Sequence, residues 1–114
     1  MNVNTIFATI HCTNLATATE WYTRLFDRDP DAAPMDGLKE WHLSDGSGMQ
    51  LVEDHHRAGQ GAATLGVSRI EGFAKRMTQP GMPIGDIIQG DAARILMLTD
   101  PDGNQIVLAE ALEG

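Results

Sequence analysis

Apolar and polar residues alternate through Asn4–Thr13, with Ile6, Ala8, Ile10 and Cys12 on one side and Phe7, Thr9, His11 and Thr13 on the other. A period of two predicts a half-buried strand. The period then changes. Leu15, Ala18, Tyr22, Leu25 and Phe26 recur at helical spacing behind Asn14, a good N-cap, and predict an amphipathic helix over 15–27. Two prolines and several aspartates make 27–37 a loop. Leu38–Ser44 and Met49–Glu53 are predicted strands about the turn Asp45–Gly48. The second half follows the same order. A strand over 62–68 sets Ala63, Leu65 and Val67 against Thr64, Gly66 and Ser68. A helix over 69–79 carries Ile70, Phe73, Ala74 and Met77 and is ended by Gln79–Pro83. A strand over 84–89 follows. Last comes a hairpin whose arms, Arg94–Thr99 and Gln105–Ala109, flank Asp-Pro-Asp-Gly-Asn, where proline and glycine supply the turn dihedrals.

The halves match in spacing as well as in order. Val67–Phe73 lies 55 residues after Cys12–Ala18, and Asp100 lies 55 after Asp45. A repeat of this size predicts two copies of one supersecondary unit, each β-α-β-β-β. The predicted class is α+β: one domain with a first module over 1–53, a link over 54–61 and a second module over 62–114. The closing hairpin and the repeated module resemble the vicinal oxygen chelate superfamily, which includes glyoxalases, bleomycin-resistance proteins and extradiol dioxygenases. The resemblance covers essentially the whole chain. It implies mixed or antiparallel sheets that line a cavity with one face and carry the helices on the outer face.

The resemblance also implies a divalent metal held by His, Gln or Glu at equivalent strand positions. Those positions are Phe7, Gln50, Ala62 and Val107, of which only Gln50 carries a donor atom. No metal and no cofactor are therefore expected. Alternation gives the cavity face. The helix side of a sheet must be apolar, which assigns Trp41 and Leu43 to the helix and Glu40 and His42 to the cavity. The expected ligand contacts are Phe7, Thr9, His11, Glu40, His42, Gln50, Thr64, Met97 and Val107. Mixed apolar and hydrogen-bonding chemistry of this kind suits a small molecule, and few charges among the residues point to a neutral or weakly polar one. His11 is read either as a ligand contact or as a satisfied structural histidine.

Composition narrows the classes. Sixteen acidic against eight basic residues give a formal charge of −8, which disfavours nucleic acid as a partner. The apolar runs are too short to span a membrane. Cys12 is the single cysteine, so no internal disulfide forms, and its alternating position suggests a buried, reduced thiol in a cytoplasmic protein. His55 and His56 sit in the link, where adjacent histidines are usually solvated. Asp45–Gly48 has neither the lysine nor the following helix of a phosphate loop. Met49, Met82 and Met97 suit either an adaptable pocket or plain core. The reading is a metal-independent small-molecule binder of the bleomycin-resistance type, a homodimer because its sheet edges need covering. The alternatives are a glyoxalase-like lyase or isomerase using His11, Glu40 or His42 as acid/base groups, and a non-catalytic partner domain.

Overall fold

The computed structural model describes residues 1–77 and 84–112, so Gln79–Pro83 and Met82, read above as a helix stop and a pocket methionine, lie outside the described residues. The chain divides into two compact units: Met1–Gly61 with Asp100–Asn104, and Ala62–Thr99 with Gln105–Gly114.

In the first unit, β1 (Ile6–Cys12), α1 (Leu15–Phe26), β2 (Leu38–Ser44) and β3 (Ser47–Glu53) follow in order. Asn14 caps α1 by accepting the Thr17 N–H at 3.0 Å, and Glu53 Oε1 accepts the Leu15 N–H at 3.1 Å. The helix ends where Asp27 turns left-handed. Ala18, Trp21, Tyr22 and Leu25 form its buried stripe. They meet a sheet ordered β1-β3-β2, with β1 parallel and β2 antiparallel to β3. Ile10, Cys12, Trp41, Met49 and Leu51 fill that side of the sheet. Trp41 packs against Tyr22 and Phe26 with ring centroids 6.1 and 5.6 Å apart, and its indole N–H donates to the Arg28 carbonyl.

Two details of this unit differ from the sequence expectation. The hairpin turn is only Asp45-Gly46, because Ser44 pairs with Ser47 once the register shifts between His42 and Ser44. Gly48, read above as turn, is a buried strand residue. The segment 27–37 is also not wholly loop, since Ala32 bridges Glu40 on the free edge of β2 and stands where the module's second strand would run.

The second unit completes the module: β4 (Ala62–Gly66), α2 (Ile70–Arg76), β5 (Ile88–Gln89), β6 (Ala93–Thr99) and β7 (Gln105–Ala111), in a sheet ordered β4-β7-β6-β5. β4 runs parallel to β7, and the other neighbours are antiparallel. Ile70, Leu96, Leu98, Ile106 and Leu108 form its core under α2. The strand expected over 84–89 shrinks to two residues, because only Ile88 and Gln89 find partners, in Ile95 and Arg94, and Gly85 and Asp86 favour turns. The helix expected over 69–79 is seen as Ile70–Arg76.

Register also corrects the repeat. Thr9 and Thr64 keep the 55-residue spacing, but Gln50 and Val107 hold corresponding places 57 residues apart. Two extra residues therefore enter between the second helix and its hairpin. They move the counterpart of Asp45 from Asp100 to Asp102.

Candidate functional site

Residues directly opposite one another in adjacent strands point to the same side of a sheet. On the side of the first sheet away from α1, three rows cross β1, β3 and β2: Phe7–Gly48–His42, Thr9–Gln50–Glu40 and His11–Val52–Leu38. Six of the nine expected site residues thus share one face. The middle row is joined by hydrogen bonds. The Thr9 hydroxyl donates to Gln50 Oε1 at 3.3 Å, and the Gln50 amide donates to Glu40 Oε2 at 2.9 Å. Glu40 Oε1 lies 3.0 Å from His42 Nε2. Phe7 meets the His42 ring edge-on at 5.8 Å.

Gly48 makes that ring contact possible. A Cβ there would stand 2.5 Å from Phe7 Cε1 and 2.5 Å from the Trp41 carbonyl oxygen, so only glycine lets the phenyl ring lie across the sheet. The Glu40 side chain is only 15% exposed, whereas that of His42 is 53% exposed. The hydrogen bond from His42, and after it that from Gln50, holds the Glu40 carboxyl below its ordinary value, so it is ionised at neutral pH. Beside it, Asp31 Oδ2 accepts the His42 backbone N–H at 2.6 Å. That bond and the Arg28 guanidinium lower the Asp31 pKa in turn.

His11 stands one row from Gln50. It is half-buried, and its carbonyl accepts from the Asn104 amide at 2.9 Å. The remaining three expected residues form a row of their own in the second unit, Thr64–Val107–Met97, with Met97 48% exposed.

A second polar cluster in the first unit escaped the sequence reading. Asp100, 4% exposed, accepts the Tyr22 hydroxyl at 2.6 Å and the Asn104 amide at 2.8 Å on Oδ2, and the Asp102 and Asn104 N–H groups on Oδ1. Asn104, fully buried, also accepts the Gly61 N–H at 2.8 Å. Burial and then the Asp100 hydrogen bond push the Tyr22 pKa well up. Burial, reinforced by Asp102, raises the Cys12 thiol to about 12. Such a thiol is no nucleophile at neutral pH. The signal available in the sequence was the aspartate opening a turn, whose side chain accepts the N–H groups two and four residues on. Nothing in the sequence named Tyr22 as the third partner.

The metal implied by the resemblance does not fit these residues. Phe7, Ala62 and Val107 have no donor atoms, and the Gln50 amide is engaged by Thr9 and Glu40. Among the described residues, no three His, Cys, Asp or Glu side chains stand together as a metal site. No helix among them is long and apolar enough to cross a membrane.

No protein-family model matches the sequence, and no curated protein does. Solved structures do. A glyoxalase/bleomycin-resistance protein from Catenulispora acidiphila is 24% identical, over 96% of this chain and 99% of its own, with a TM-score of 0.87. The antibiotic-binding protein TnmS3 from a Streptomyces species is 17% identical over 95% of each chain, with a TM-score of 0.81. A bleomycin-binding protein complexed with bleomycin is 12% identical over 96% of this chain and 99% of its own, with a TM-score of 0.75. The fold is that of the glyoxalase/bleomycin-resistance proteins, the vicinal oxygen chelate fold.

Proposed function

We propose that this protein binds a small organic molecule, without a metal or cofactor, on the first unit's sheet face. The observation that carries the reading is the continuous chain Thr9–Gln50–Glu40–His42 with the Phe7 ring against it. Polar groups on rigid strands, preorganised by one another and flanked by apolar Phe7, Leu38 and Val52, are the ordinary makings of a small-molecule site. His11 belongs to the same surface. Thr64, Val107 and Met97 are proposed as ligand contacts of the second unit in their own right. The antibiotic-binding and bleomycin-binding neighbours support a sequestering role of the same kind here. In this reading the two modules form one domain, and the protein works as a cytoplasmic homodimer.

Thermal denaturation of chelator-treated protein against a collection of small molecules, bleomycin among them, tests the proposal. A ligand at a hundredfold its Kd adds about 2.7 kcal/mol of stability. At least one compound should raise the Tm of the native chain and lose that effect in Gln50→Val. If every stabilising compound acts equally on the variant, the site lies elsewhere. Sedimentation at tens of micromolar tests the dimer, and a monomer there removes it.

One observation favours a second reading. A carboxylate 3.0 Å from an imidazole nitrogen is the arrangement that orients a general base. In a glyoxalase-like lyase His42 would move the proton and Glu40 would orient it. His42→Gln should then abolish turnover of a bound substrate while binding persists.

A further inference from the structure

Glu40 sets the chemistry of the ligand more narrowly than its neighbours do. Its carboxylate is ionised and its side chain only 15% exposed, and it accepts hydrogen bonds from the Gln50 amide and the His42 ring. Among the described residues, His42 is the one basic side chain within ion-pair distance of it. Lys39, next in the chain, points to the opposite side of the strand. A carboxylate offers about four acceptor positions and two are filled here, so each oxygen keeps one free. No lysine or arginine among the described residues stands within ion-pair distance of this anion, which leaves it short of a permanent counter-charge.

From this we infer, building on the binding reading above, that the face selects a flat organic cation of the amidinium or guanidinium type. Two parallel N–H groups of such a cation match the two free carboxylate positions. The Phe7 ring, lying across Gly48 and against the His42 ring, supplies an aromatic surface on the same side of the sheet. The sequence pointed to a neutral or weakly polar ligand because it counted charges. Where those charges are paired could not be counted. The overall charge of −8 draws any cation to the surface, but that attraction is not selective.

Three probes of nearly one shape separate these effects: benzamidinium, benzamide and benzoate, titrated into the ¹⁵N-labelled 114-residue chain. Benzamidinium should shift the Thr9, Gly48 and Gln50 amide resonances and bind at least about tenfold more tightly than benzamide, while benzoate leaves them still. In E40Q the affinity for benzamidinium should fall about tenfold, to that of benzamide. Glu20→Gln removes the same charge from the exposed side of α1 and should leave affinity within about twofold. Benzamide binding as tightly as benzamidinium at the same resonances overturns the cation selectivity and leaves the small-molecule reading standing. Equal losses in E40Q and E20Q overturn it too, because net charge alone would then explain the binding. If no probe moves those resonances the cation proposal fails, and the compound screen judges the broader reading separately. Should E40Q not fold, the comparison of the three probes on the native chain decides by itself.

Discussion

In the first sheet the middle row reads Thr9–Gln50–Glu40, and in the second the same three strand positions are Thr64–Val107–Met97. The rows above them contrast in size: Phe7–Gly48–His42 against Ala62–Gln105–Thr99. One sheet has a large ring beside a glycine at this level, and the other has a small methyl beside a long amide. The hairpin connections differ as well. Leu43–Ser47 closes with an exposed Asp45-Gly46 turn, while the corresponding Asp100–Asn104 buries its first and last residues. One backbone plan therefore carries a middle row joined by amide and carboxylate hydrogen bonds and one with neither group, and an exposed turn and a buried one. Fold and chemistry vary independently here, so likeness of fold cannot by itself transfer a site.

The turns give the largest expected contrast. Asp100→Ala leaves the Tyr22 hydroxyl, the Asn104 amide and two backbone N–H groups without their acceptor, and should destabilise the fold by about 3 kcal/mol or more. Asp45→Ala in the exposed turn should cost about 0.5 kcal/mol or less. Urea denaturation of both variants checks the pair. Similar losses would mean that the two turns do the same job.

Next in size is Gly48→Ala. The added Cβ meets the Trp41 backbone, which cannot step aside as a side-chain tip would, and a cost of about 1–3 kcal/mol is expected. The same variant should displace Phe7 from His42, visible as a change in the His42 ring resonances. Gln105→Ala at the matching place in the second sheet, where the residue is exposed, should be nearly silent.

Much of this was legible in the sequence. Strict alternation in Ile6–Cys12 and Leu38–Ser44 placed the strands and separated Trp41 from Glu40 and His42, because a strand's faces follow from counting by two. The row register was not legible, since it depends on the irregularity between His42 and Ser44 and on two residues inserted before the second hairpin. The pattern over 84–89 predicts a longer strand than the two residues of β5, because pairing is decided by the partner strand and is not encoded in that segment alone. The Tyr22–Asp100 bond joins residues 78 apart, and no local pattern encodes a contact of that span. His11 stands out in the sequence as the ionisable residue on the Phe7–Thr9–His11 face of its strand. The interactions instead place His42 in the network, through a Glu40 contact two residues away on the same strand.

A smaller effect is expected from exchanging the middle rows. Gln50→Val copies the second sheet into the first, taking the acceptor from Thr9 and a donor from Glu40, at a cost of about 1 kcal/mol. Val107→Gln copies in the other direction and should bring no stabilisation, because Thr64 and Met97 offer a single hydroxyl and no carboxylate to receive it. A gain in stability from V107Q would show that the second face holds polar partners the pairing does not reveal.

The smallest effect distinguishes Glu40 from Met97, its counterpart that cannot titrate. Hydrogen bonds from His42 and Gln50 depress the Glu40 pKa in the folded chain below the ordinary 4.5. As acid is added, the unfolded chain therefore takes up this proton first, and protonation favours unfolding. The stabilisation from the network is complete above pH 4.5 and is lost as pH falls through the lower folded value. E40Q has no such proton to bind at this position. Its stability should be slightly below that of the native chain at pH 7, and the gap should close as pH drops from 4.5 through the lower folded value, measured as urea midpoints at matched ionic strength. Asp31 carries a depressed pKa of its own, but it does so in both proteins and cancels from the difference while its bond to the His42 N–H survives. A gap that stays constant from pH 7 to pH 3 would mean that the Glu40 carboxylate gains nothing from its neighbours, and the two sheets would then differ in composition without differing in electrostatics.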